Sequence, residues 1–173
     1  MNQPPEANIL SQSLWHKLQE QIALTQSLIK QVPSDKLSWQ PVPAAFRLDE
    51  LLGHILECLA GSCAALYAMR PDELAHFAAL RQLQVNHRCT IEEANYRIND
   101  YQKHLAQGFT LINDHDLARR LPTLFVKKGE VAMTILLGNF EHLINHKYQL
   151  FFYLKLLGIN VISADLYHFR EKG

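Results

Sequence analysis

Two histidines in the last third of the chain have the spacing of a pair of metal ligands. His142 and His146 lie four residues apart in the segment EHLINHKYQL, inside a largely apolar run. On an α-helix, residues at i and i+4 share a face, about 5–6 Å apart, so both rings can reach one ion. The same pattern also suits two buried, hydrogen-bonded imidazoles without a metal, because HxxxH arises by chance on many helices.

The predicted register of this helix turns both rings inwards. Two charged imidazoles side by side in a core would be costly, and as neutral rings each needs a partner for its lone pair. A divalent cation would satisfy both rings at once. The predicted core face of the helix comprises Ile135, Gly138, His142, His146, Gln149, Tyr153 and Leu156.

A third histidine strengthens the metal interpretation. His54, in ELLGHILECLAG, falls on the apolar stripe of an earlier helix, near Leu51, Cys58 and Gly61. Three histidines from two facing helices form a set that leaves coordination positions open, which is typical of catalytic rather than structural sites. A di-iron carboxylate site is disfavoured, because it requires paired Glu-x-x-His motifs and the chain has none.

Other side chains near these positions have two readings each. Cys58, one turn after His54, is a fourth ligand, a nucleophile or, as we favour, a small buried hydrophobe. Glu50, Glu57 and Glu141 either accept a hydrogen bond from the second nitrogen of a ligand or are surface carboxylates. The histidines that lack a ligand partner at helical spacing are read as solvated or packed: His16, His76, His87, His104, His115 and His168.

Four long helices with apolar stripes must position these residues, so the predicted fold is an all-α four-helix bundle. No convincing strand is expected. Thr90 begins the third helix, with its hydroxyl accepting the Glu93 amide and the Glu93 carboxylate reaching back to the amide of Thr90. Gly158 follows the last helix as its C′ residue. The predicted helices span about 6–32, 48–69, 90–114 and 130–157.

The connection between the second and third helices, residues 71–89, is too long for a structureless loop, and we predict a short helix at 72–83 within it. Fully extended it reaches roughly 60 Å. A helix as long as the second is only about 33 Å. The connection can therefore return along the bundle and permits, without requiring, parallel second and third helices.

The composition suits one soluble domain covering residues 1–173. Basic and acidic residues balance at 17 each, and no basic stripe is present, which argues against nucleic acid as a partner. Neither a signal peptide nor a membrane span is expected, since the apolar run at 135–157 is repeatedly interrupted by polar residues. Three cysteines without a CxxC pair favour a reducing cytoplasm.

Three stretches together resemble the DinB/YfiT-like superfamily over nearly the whole chain. They are the loop and helix start LSWQPVPAAFRLDELLGHI, the continuation GHILECLAG, and His142-x-x-x-His146-x-x-Gln149-Leu150 followed by YLKLLG. The resemblance implies an up-down-down-up bundle with a long crossover between helices two and three. It further implies a divalent metal on His54, His142 and His146, either zinc, nickel, iron or manganese.

Members of that superfamily are often dimeric and include thiol-dependent transferases, isomerases and hydrolases. In them the metal activates a low-molecular-weight thiol or a water. One departure is that the family often has His-Arg-Gly-Gln where this chain has His146-Lys147-Tyr148-Gln149. Because Tyr148 is bulkier than glycine, the expectation of a homodimer transfers less directly than that of the metal.

The sequence therefore supports two functions. The first is a metal-dependent enzyme, a hydrolase or thiol transferase acting on a small-molecule substrate such as a cellular thiol. Glu57 and Glu141 are its candidate bases and Tyr153 a candidate hydrogen-bond donor, with catalytic roles left unassigned. The second is a non-catalytic metal-binding or dimerising helical module with a vestigial site, since a fold does not imply a function.

Overall fold

A computed structural model of the protein describes residues 8–122 and 127–167. It is mostly helical, which confirms the all-α prediction; the up-down-down-up order of the helices stays a prediction. The α-helices are α1 (Ile9–Ile29), α2 (Leu48–Met69), α3 (Ile91–Leu111), the short α4 (Asp114–Leu117) and α5 (Ala132–Leu156), with 3-10 helices at Ser34–Lys36, Ala75–Gln82 and Ser163–Asp165.

Helix α2 lies at the centre of the packing, against α3 on one side and α5 on the other, while α1 packs on α3 and α5. The stripes predicted for α1 and α3 are buried, because each repeats at the helical period and meets a neighbouring stripe. The buried positions that carry this core include Leu14, Leu18, Ile22, Leu28 and Ile29 on α1, and Ala94, Ile98, Tyr101, Leu105 and Phe109 on α3.

Helix α2 is long and apolar enough to cross a membrane by length and composition, with a mean hydropathy of 1.4 over its most apolar stretch. However, 61% of that stretch is buried inside the bundle. Such burial is the pattern of the core helix of a soluble protein.

The predicted helix ends are close to the observed ones where a local signal marks them. Thr90 accepts a hydrogen bond from the Glu93 amide at 3.1 Å, as predicted. The carboxylate of Glu93 contacts His87 at 2.7 Å rather than capping Thr90, so the reciprocal half of that prediction is wrong. Gly158 has the predicted left-handed conformation, with φ of 79°.

Helix α5 begins two residues later than predicted because residues 130–131 form a strand. The strands β1 (Arg120–Leu121) and β2 (Glu130–Val131) pair antiparallel, with Leu121 opposite Glu130. The expectation of no strand is thus corrected by this short ribbon, whose pairing partner lies too far along the chain for a local pattern to show.

The short helix predicted at 72–83 in the crossover from α2 to α3 is present as a 3-10 helix. It spans Ala75–Gln82, and its buried residues are Phe77 and Leu80. Residues three apart eclipse each other in a 3-10 helix, so this geometry buries both against the bundle.

The predicted core face of α5 is wrong by a rotation of the helix. Gly138 and Leu156 are exposed, and both histidines are only partly buried. The buried face instead carries Lys147, whose ammonium donates to Gln21 Oε1 at 2.5 Å and to the carbonyl of Leu166 at 2.7 Å. These two oxygens, from α1 and the C-terminal segment, satisfy a cation that the sequence pattern assigns to the surface. The apolar members of that face are Leu136, Leu143, Leu150 and Leu154.

On α2, His54 and Gly61 also lie at the edge of the apolar stripe to which the sequence assigned them. Ile55 and Ser62 face the core, while His54 and Gly61 lie on the flank that turns to α5. A Cβ placed on Gly61 would lie 2.5 Å from Oδ1 of Asn139, so the glycine permits close approach of α5. The site residues therefore lie at the edge of the core, where solvent can reach them.

Candidate metal centre

Three imidazole rings meet between α2 and α5. The ring centroids of His54 and His142 are 4.9 Å apart, those of His54 and His146 4.3 Å, and those of His142 and His146 4.7 Å. One nitrogen from each ring can be chosen so that all three lie within 4.8 Å of one another. The structure thus brings together the three histidines that the sequence singled out.

The closest pair of nitrogens has the separation that a shared ion requires. Nε2 of His54 lies 3.1 Å from Nε2 of His142. Two imidazole nitrogens bound to one ion at about 2.0–2.1 Å, with an angle of about 100° between them, lie about 3.1 Å apart. This pair therefore needs little rearrangement to hold a metal.

The second nitrogen of two of the rings already has a partner. Nδ1 of His54 lies 2.5 Å from Oδ1 of Asn86, and Nδ1 of His146 lies 2.9 Å from Oε1 of Gln149. An amide oxygen only accepts, so each Nδ1 carries the proton and each Nε2 keeps its lone pair. This is the arrangement in which a histidine is prepared to bind a metal.

Gln149 is itself held in place. Its amide nitrogen donates to the hydroxyl of Tyr153 at 3.0 Å. The ring of Tyr153 meets Trp39 edge to face, with centroids 5.5 Å apart. Trp39 also accepts a backbone hydrogen bond from Leu48 at 2.9 Å, so it anchors the proline-rich loop that precedes α2. Tyr153 therefore supports Gln149, and its role as a hydrogen-bond donor to a substrate stays a prediction.

Burial keeps two of the rings neutral. It lowers the pKa of His142 and of His146 below the ordinary value of 6.5, and the neighbouring His54 lowers both further. Only a neutral imidazole has a lone pair for a metal. The donor set and its charge state therefore fit a divalent transition metal.

The loop residue Phe46 borders two of the three rings. Its ring centroid lies 4.9 Å from that of His54 and 6.1 Å from that of His146. This contact places an aromatic side chain beside the candidate centre.

Asn86 reaches His54 because the end of the crossover lies directly on α2. Its amide donates to the carbonyl of Gly53 at 3.1 Å, and its backbone is left-handed, with φ of 57°. A Cβ on Gly53 would collide with the carbonyl oxygen of His87. The absent side chain at Gly53 is therefore what allows the loop to seat Asn86 against the histidine.

A second group with metal-ligand atoms, His87, Cys89 and Glu93, braces the same loop. Burial raises the pKa of the Cys89 thiol to about 12, so it is not a ready thiolate ligand. A guanidinium nitrogen of Arg97 lies 3.8 Å from the Glu93 carboxylate, and His87 bonds the same oxygen. These contacts indicate a structural cluster that fixes the start of α3.

Of the three carboxylates proposed from the sequence, one lies near the candidate metal centre and two do not. Glu57 lies 3.2 Å from Nδ1 of His54. Glu50 instead accepts the backbone amide of Arg47 at 3.1 Å and caps α2. Glu141 is exposed, and among the described residues no hydrogen bond or ion pair joins it to the histidines.

Cys58 is a buried hydrophobe, the reading favoured from the sequence. Its exposed fraction is 1%, and burial raises the pKa of its thiol to about 12. Asn86 is the residue that sequence reasoning missed. Only the tolerance of asparagine for left-handed backbone could have drawn attention to it, and that signal does not point to His54.

The fold is shared with a protein of known structure. A DinB-like protein from Bacillus subtilis, YjoA, matches with a TM-score of 0.67 and 18% sequence identity, over 87% of this chain and 95% of that chain. The DinB-like fold suggested by the sequence is therefore confirmed. No protein-family model matches the chain, and no curated protein matches its sequence. At this identity the likeness establishes the fold, and the activity must be argued from the site.

Proposed function

We propose that the protein is a metal-dependent enzyme whose divalent metal is held by His54, His142 and His146. The observation that carries this proposal is the convergence of the three rings, two of them with Nδ1 engaged by an amide oxygen so that Nε2 keeps its lone pair. When bound, such a metal supplies a Lewis acid that activates a water or a low-molecular-weight thiol.

A pocket beside the histidines favours an enzyme over a non-catalytic module. Its volume is about 600 Å³, and both Glu57 and His142 line it. That volume lies within the range of small-molecule sites, about 300–1,000 Å³. A purely structural site would have no need of a cavity that opens onto one of its ligands.

Within this pocket Glu57 is the carboxylate best placed to take a proton from a substrate hydroxyl or thiol. Its side chain is 41% exposed, so it can meet a substrate, and it lies beside His54. The ring of Phe46 also lies beside that of His54. We therefore assign Glu57 as the candidate general base and leave Glu141 out of the site.

The proposal is tested by metal content. Protein purified without chelator should carry close to one transition metal per chain, and substitution of His54, His142 or His146 by Ala should remove it. His16, exposed on α1, provides a matched control, because His16→Ala should retain the metal. Absence of metal from every preparation, with unfolding midpoints unchanged by the three substitutions, would contradict the proposal.

A second measurement separates thiol transferase from hydrolase. A thiol-dependent enzyme should bind a cellular thiol such as glutathione or cysteine saturably, and only when the metal is present. Zinc, nickel, iron and manganese all remain candidates, because three histidines with open positions suit each of them. A cytoplasmic location fits the three buried free cysteines.

A further inference from the structure

The pocket beside the histidines has three walls of different character. Helix α2 supplies small residues, Ala60, Gly61 and Ala64, which leave space. The crossover supplies apolar side chains that include Leu83 and Val85. Helix α5 closes the third side with Asn139 and His142. A narrow apolar body is what such a cavity accommodates.

The crossover between α2 and α3 runs back along α2 and is held by a backbone hydrogen bond near each of its ends. Near the end of α2, Leu74 donates to the carbonyl of Arg70 at 3.0 Å, and near the start Asn86 donates to the carbonyl of Gly53 at 3.1 Å. Arg81 lies on the segment between these points. It therefore lines the pocket at a place set back along α2 from His54.

Arg81 is the one lysine or arginine among the described residues that line this pocket. Other arginines of the chain contact carboxylates: Arg47 lies 2.8 Å from Asp49, and Arg70 lies 2.5 Å from Asp116. Arg81 makes no ion pair within the described ranges, and its side chain is exposed. An uncompensated guanidinium in a mostly apolar pocket is a site for an anion.

The charges that line the pocket also set the orientation in which a ligand binds. Glu57 lies near the histidines, so an anionic group is repelled there and attracted to Arg81. One guanidinium matches a carboxylate in a two-point contact. A doubly charged phosphate is better matched by two or more cationic side chains than by one.

We propose, resting on the function proposed above, that the substrate is an organic acid with an extended apolar body. Its carboxylate lies on Arg81, its body lies along Ala60 and Ala64, and its neutral, reacting end is directed towards His142 and Glu57. Arg81 is thus a specificity-determining residue.

The test compares straight-chain acids with the matching alcohols. Hexanoate, octanoate and decanoate are titrated into metal-free protein and followed by isothermal calorimetry, in parallel with hexanol, octanol and decanol. At the best-fitting length the acid should bind roughly three- to tenfold more tightly than the alcohol, as expected for a partly screened charged contact. Arg81→Gln should abolish that difference and leave alcohol binding unchanged.

Two further variants keep the result unambiguous. Arg88 is exposed on the same connection and does not line the pocket, so Arg88→Gln should retain the preference for acids. Ala64→Leu fills the pocket and should weaken acid and alcohol alike. Equal binding of acid and alcohol, or a preference that survives Arg81→Gln, would overturn the proposal, as would tighter binding of octyl phosphate than of the best acid.

The same series distinguishes this inference from the function on which it rests. If the protein selects acids through Arg81 but takes up no metal, the anion site is supported and the metal-dependent enzyme is refuted. Protein that takes up metal without selecting acids would refute the anion site alone. In the cobalt-loaded protein, binding of 8-mercaptooctanoate should produce a sulfur-to-cobalt absorption band if its thiol end reaches the three histidines.

Discussion

At the scale of single residues, the protonation of His54 and of His146 is decided by the group on the second nitrogen of each ring. Asn86 holds Nδ1 of His54, and Gln149 holds Nδ1 of His146, so that both rings present a lone pair at Nε2. Gln149 lies three residues after its histidine, within one helical turn, whereas Asn86 comes from a different segment. Both supports are side-chain amide oxygens, but one is placed by the same helix as its histidine and the other by the crossover.

The lowered pKa values of His142 and His146 predict how the metal-free protein responds to acid. Unfolded, these rings have a pKa near 6.5, so below that value the unfolded chain binds protons before the native one does. The free energy of unfolding should therefore fall as the pH drops through 6.5, and recover as it rises. Urea unfolding between about pH 5 and 7.5, in the presence of a chelator, measures this slope.

The matched control for that experiment is the variant in which both histidines are replaced by Asn. Its unfolding free energy should depend less on pH over the same window, because the groups with lowered pKa are gone. In the metal-loaded protein the affinity should fall in the same direction, since protons compete with the ion for the lone pairs. An identical slope in both proteins would show that other groups cause the dependence.

Substitution of Asn86 is expected to change metal affinity without unfolding the protein. Asn86→Gly keeps the left-handed backbone at φ of 57° but removes the acceptor for His54. Loss of such a support typically costs about 10- to 100-fold in affinity. Asn86→Asp keeps the acceptor and should retain wild-type affinity or exceed it. Competition with a metal-binding indicator gives the affinities.

Thermal unfolding of the metal-free variants provides the control for Asn86. A drop in affinity for Asn86→Gly without a matching loss of stability identifies a positioning role. If Asn86→Gly and Asn86→Asp bind the metal equally well, the side chain has no part in preparing His54.

At the scale of the elements, two glycines lie in helices, one tightly packed against backbone and the other facing open space. Gly53 on α2 meets the carbonyl of His87, so Gly53→Ala should displace the loop that carries Asn86 and lower both stability and metal affinity. Gly138 on α5 has no atom within 4 Å of an added Cβ. Gly138→Ala should therefore stabilise the protein by about 0.5–1 kcal/mol. Thermal unfolding and metal titration of both variants check these effects.

The pair of glycine variants contradicts this account if the two behave alike. Equal stability changes would mean that helix propensity alone governs both sites. A Gly53→Ala variant with wild-type metal affinity would show that the loop can shift without disturbing His54.

At the scale of the whole molecule, the expected homodimer is still a prediction. Helix α5 exposes Tyr148, Phe152 and Leu156, each about half exposed and four residues apart on one face. If two copies associate through this face, Phe152→Asp should convert the dimer to a monomer. Sedimentation equilibrium measures the mass of both forms, with Tyr96→Ser on α3 as the control, since Tyr96 is 74% exposed elsewhere. A monomer at all concentrations would refute the expectation.

The local pattern of the sequence determined the helices and the pairing of His142 with His146. Both follow from the helical period, which depends only on residues within a turn or two of one another. The bounds predicted for α2, about 48–69, agree with the observed helix, and its end is marked by Pro71, whose ring cannot continue a helix. The choice of His54 as the third candidate ligand also followed, since His54 falls on a stripe that had to face another helix.

Only the tertiary structure decided how each helix is rotated and what meets it. Lys147 is buried on α5 because Gln21 and Leu166 supply oxygens, and these partners lie far away in the chain. That rotation places His142 and His146 on the flank of the core, where His142 lines the pocket. Contacts of this kind depend on the simultaneous packing of several elements, so no periodicity within one helix contains them.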